Sequence, residues 1–102
     1  MIFRRSKYAT VIDAQLDLFV REHRDVLEDV ATRLEHYNAA ERDEAEELYG
    51  DYVDAVETGT ELLADLRDNY AQTLDDPDPY LRDFNRAVAK RLPEYALEIE
   101  NR

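Results

Sequence analysis

Four carboxylates and one imidazole are the side chains whose types and spacing bear on chemistry. Glu44 and Glu47, then Asp65 and Asp68 after 17 intervening residues, form two acidic pairs. Each pair is spaced i, i+3, which on a helix puts oxygen ligands for a hard cation on one face. His23 is the other candidate, because imidazole can move protons around neutral pH. No Ser or Cys nucleophile stands at a recognisable spacing from it, and the chain has no Cys at all. A bundle di-iron site needs Glu three residues before His; Val20 and Arg33 occupy those places before His23 and His36.

The acidic pairs resemble the motifs E-x-x-E and E-x-x-D with which the all-α MazG-type nucleotide pyrophosphatases hold magnesium, with Asp65 standing where that family has Glu. The resemblance rests on four residues. It implies Mg²⁺-dependent hydrolysis of phosphorylated small molecules, with Glu44, Glu47, Asp65 and Asp68 as ligands on two helices that face each other. Such a site needs a helix break between the pairs. Gly59, flanked by Thr58 and Thr60, is the signal that could supply one, since Thr58-x-x-Glu61 has capping-box spacing.

The elements that must position these residues are helical. Apolar or semi-polar residues recur at Ile12, Leu16, Phe19, His23, Val26, Val30, Leu34 and Tyr37, after Ser6 as an N-cap. A second series runs through Ala45, Tyr49, Tyr52, Val56, Gly59, Leu63, Leu66 and Tyr70. The sequence DDPDP then punctuates the chain, with Asp78 as N-cap and Pro79 at the first helical position. Tyr80, Leu81, Phe84 and Val88 mark a third, shorter helix, which Pro93 ends. The expected fold is therefore all-α and one domain over residues 1–102. A long antiparallel hairpin of about 7–37 and 42–74 carries a third helix at about 79–91 and a short helical tail in a three-helix bundle.

In such a hairpin, facing residues have constant summed numbers, and His23 falls opposite Gly59 just as Phe19 falls opposite Leu63. Gly59 then leaves room for the imidazole, with Thr58 or Thr60 as hydroxyl partner. The apolar phase also passes through Gly59 without a skipped residue, which predicts a continuous helix. On that helix Glu47 and Asp65 stand about 27 Å apart.

The charge balance narrows the function classes. A formal charge of −12 repels phosphate backbones, which argues against nucleic-acid binding and leaves a cation or a basic protein partner as options. Residues 41–78 hold 14 acidic and 2 basic residues, whereas Arg82, Arg86, Lys90 and Arg91 form a basic stripe expected to dock against the acidic hairpin. No segment has the length and apolarity of a membrane span or of a secretory signal, so the expectation is a cytoplasmic chain.

Apolar residues at Val20, Leu27, Ala31, Leu48, Val53 and Leu62 widen each stripe beyond a two-helix seam, and a second copy is the simplest cover. The leading expectation is a protein-protein interaction or assembly module that acts as a homodimer without a cofactor. The alternative is the Mg²⁺-dependent hydrolase.

Overall fold

The computed structural model describes residues 6–102; the first part of the basic N-terminal stretch, residues 1–5, lies outside them. The described residues form five α-helices and one 3₁₀ turn, with no strand. They are α1 (Ala9–Glu22), α2 (Arg24–Asn38), α3 (Ala45–Ala71), α4 (Asp78–Arg91), the turn Pro93–Tyr95, and α5 (Ala96–Glu100).

The first expected long helix is two helices. His23 leaves the helical region at φ −119°, ψ 35° and serves as C-cap of α1 and N-cap of α2. Neither Pro nor Gly stands there, and the backbone bonds on either side survive: His23 N–H donates to the Phe19 carbonyl at 2.9 Å, and Leu27 N–H to the His23 carbonyl at 3.1 Å. The bend therefore costs few hydrogen bonds, and tertiary packing overrides local propensity. Beyond it, α2 lies along α3 while α1 packs on α4.

The helix α3 runs unbroken through Gly59. Thr58 and Thr60 start nothing: each hydroxyl donates to the carbonyl four residues back, Asp54 at 3.1 Å and Val56 at 2.8 Å. The start of α4 falls at Asp78, with Pro77 rather than Asp78 as cap residue. Ser6 acts two residues outside α1, accepting the Tyr8 N–H at 3.1 Å and donating to Asp83 on α4.

Burial is concentrated at one end. Ile12, Leu16 and Phe19 of α1, Leu63 and Ala64 of α3, Tyr80, Phe84 and Val88 of α4, and Tyr95 and Ile99 beyond it form the core. Tyr80, Phe84, Leu63, Leu16, Tyr95 and Ile99 have no exposed surface. By contrast α2 buries only Val30, and α3 buries nothing before Ala55. The molecule is accordingly elongated, 51 × 33 × 23 Å, with a radius of gyration of 15.7 Å against about 13 Å for a spherical domain of this size.

Candidate functional site

The continuity of α3 decides where the carboxylates go. Glu44 caps its N-terminus, Glu47 lies in its first turn, and Asp65 and Asp68 lie in its second half. The two pairs sit on one rod about 27 Å apart along its axis and share no ion. No group of three His, Asp or Glu side chains among the described residues has an arrangement suited to a metal.

The polar contact expected at the centre of the hairpin is replaced by the packing of an aromatic ring. A Cβ on Gly59 would collide with Cε1 of Tyr95 and stand 2.7 Å from its Cζ and hydroxyl oxygen, so the ring of Tyr95, not His23, fills the missing side chain's place. His23 instead packs its ring on Phe19, with centroids 5.1 Å apart. The reason is the bend: α1 turns to α4 at His23, and the chain end enters the space over Gly59. Summed residue numbers assumed two straight rods and gave the wrong partner. The cavity at Gly59 was legible; its occupant, 36 residues away on an unperiodic tail, was not.

The basic stripe divides. Arg91 docks on α1, its guanidinium 2.7 Å from the Asp17 carboxylate and 3.4 Å from the Asp13 carbonyl. Arg82, Arg86 and Lys90 are exposed on the outer face of α4 and form no ion pair among the described residues.

A buried cation escaped the pattern altogether. Arg67 is 3% exposed. Its Nε donates to Asp68 at 2.8 Å, and its Nη1 to the Asn85 side-chain oxygen at 2.9 Å and the Ile99 carbonyl at 3.1 Å. One guanidinium thus ties α3 to α4 and α5, as its planar fork of donors allows. The signal for it was the spacing Leu63, Arg67, Ala71, an i, i+4, i+8 row through the buried face of α3.

Six of the seven tyrosines fall into two groups. Near the α4 start, Tyr80 meets Tyr8 at 5.5 Å, Tyr70 at 4.8 Å and Phe84 at 5.9 Å between ring centroids. The Tyr80 hydroxyl donates to the Gln15 side chain at 2.9 Å, and burial raises its pKa to about 12. At the other end Tyr49 meets Tyr37 at 5.2 Å and Tyr52 at 6.3 Å. There Tyr49 is 50% exposed and borders a shallow groove of about 160 Å³ with Tyr52, Val53 and Leu97, rimmed by Glu94 and Glu98. A larger cleft of about 620 Å³ lies between Tyr8, Leu74 and Pro79; of its carboxylates, Asp75 and Asp76 face solvent and Asp83 is held by Ser6.

With this geometry, the class is an all-α protein whose exposed features are a tyrosine-lined groove and a basic helix face. Comparison of the chain with models of protein families, with characterised proteins and with solved structures gave no match. No helix among the described residues is long and apolar enough to cross a membrane.

Proposed function

We propose that the protein is an interaction module that assembles as a homodimer through the tyrosine-lined end of α2, α3 and α5. One observation carries this reading. Only three large hydrophobic side chains among the described residues are exposed, Leu18, Tyr49 and Leu97, and two of them meet at the same groove. Tyrosine is enriched at the buried centres of interfaces because its ring offers wide apolar contact at little entropic cost. Around this groove Tyr52 and Val53 are also left half-buried, so a second copy would cover them along with Tyr49 and Leu97.

The basic-partner reading retains one argument: Glu94 and Glu98 rim the groove, and the acidic part of α3 begins beside it. Salt separates the two. Two chains of −12 repel each other, and screening tightens their association; a basic partner is held by attraction, and screening loosens it. Sedimentation equilibrium at micromolar concentration, in low and in high salt, tests the reading. The homodimer predicts a dimer that strengthens with salt, whereas a monomer under both conditions contradicts it.

A further inference from the structure

The chain end beyond α4 folds back on α4 and on α3. Tyr95 and Ile99, four residues apart, are its two fully buried side chains, while Pro93, Glu94, Leu97 and Glu100 are exposed. Tyr95 lies over Gly59 so closely that a Cβ there would force the ring to shift. Yet its hydroxyl is the single buried side-chain polar atom without a hydrogen-bond partner among the described residues. Burying a hydroxyl unpaired weakens the hold of the ring that carries it.

The second anchor is generic. The Ile99 backbone carbonyl accepts from Arg67, and Arg67 is independently fixed by Asp68 and Asn85. When the segment leaves, that donor therefore stays in place on α3. A hinge is also present: Leu92 sits at φ −133°, ψ 65°, outside the helical region, and is followed by Pro93, which has no N–H to continue α4. The segment can swing away as a unit without unravelling the helix before it.

We propose that residues 93–102 are a detachable strap, and that the surface of α3 and α4 beneath it, with Gly59 and Arg67 of α3 as its points of contact, is a docking surface for the same segment of a second copy. The occupant follows from the fit. The groove holds a Tyr-x-x-x-Ile segment of this chain in cis, and the same contacts form in trans at no cost in buried surface, which is the basis of segment exchange between protomers. This deepens the homodimer reading and rests on it for the second copy, but its test is separate.

Amide hydrogen exchange on the intact chain reads strap opening directly. The expected result is that amides of residues 95–100 exchange at least about tenfold faster than those of residues 55–67 of α3. Tyr95→Phe removes the orphan hydroxyl and slows strap exchange by about tenfold, with the α2 and α3 amides unmoved. A labelled peptide of residues 92–102 added to the full chain binds saturably, and the same peptide with Tyr95→Ala does not. The proposal is overturned if strap amides exchange only together with α3, or if both peptides bind alike or neither binds. Association through the tyrosine groove is read instead by the effect of Tyr49→Ala on sedimentation, so failure of the strap and failure of the groove are distinguishable.

Discussion

The two tyrosine groups use the same side chain for opposite ends. Around Tyr80 the rings are enclosed by α1, α3 and α4, and the one fully buried hydroxyl there finds Gln15. Around Tyr49 the rings touch each other, but Tyr49 keeps half its surface in water. Three tyrosines gather at each end of α3; what differs is how far the neighbouring helices enclose them. The first group is core, and the second has the chemistry of a core with one wall missing.

Substitutions that treat the two ends alike expose this difference. Tyr80→Ala removes a ring with no exposed surface and is expected to cost about 3–5 kcal/mol in chemical denaturation, the range for large aromatic truncations in a core. Tyr49→Ala, measured at concentrations where the chain is dilute, is expected to stay within about 0.5 kcal/mol, as for surface substitutions. Equal losses at both positions would mean that the Tyr49 end is as closed as the other.

The glycines of α3 repeat the contrast on a smaller scale. Gly59→Leu drives a side chain into the Tyr95 ring and is expected to cost about 1–3 kcal/mol or more by overpacking. Tyr95→Ala in the same chain should recover much of that loss, whereas shortening His23 should recover none. Gly50 has nothing within 4 Å of an added Cβ, so Gly50→Ala should instead stabilise the helix by about 1 kcal/mol. Thermal unfolding of the four variants checks all of this.

Alkaline pH provides a milder probe of the enclosed end. Burial raises the pKa of both Tyr80 and Tyr95 from 10.0 to about 12, and the negative charge of Glu94 adds to the shift at Tyr95. In the unfolded chain these phenols ionise near their ordinary pKa, so the stability they contribute is fully present below about pH 10 and is lost as pH rises from there to about 12. Denaturation curves across that window should show the decline, and phenylalanine at either position should flatten it.

How much of this was legible depended on distance along the chain. Helical periodicity is local, and it located α3, α4 and the continuity of α3 through Gly59 within a few residues. The bend at His23 has no local cause: the series Ile12, Leu16, Phe19, His23, Val26 keeps its spacing while the backbone changes direction to meet α4. Arg67 stands between Leu63 and Ala71 on the buried face of α3, a position that its charge alone does not reveal. The carboxylate pairs were legible as a rod and not as a site, since the geometry of one helix separates them.

The most direct measurement of the central claim compares two exposed residues at opposite regions of the molecule, Tyr49 at the tyrosine groove and Leu18 on α1. Sedimentation equilibrium of the parent chain, Tyr49→Ala and Leu18→Ala at matched micromolar concentrations should give a dimer for the parent and for Leu18→Ala, and a dissociation constant raised by about tenfold or more for Tyr49→Ala. A parent chain that stays monomeric, or a dimer that Leu18→Ala weakens and Tyr49→Ala does not, would contradict the account.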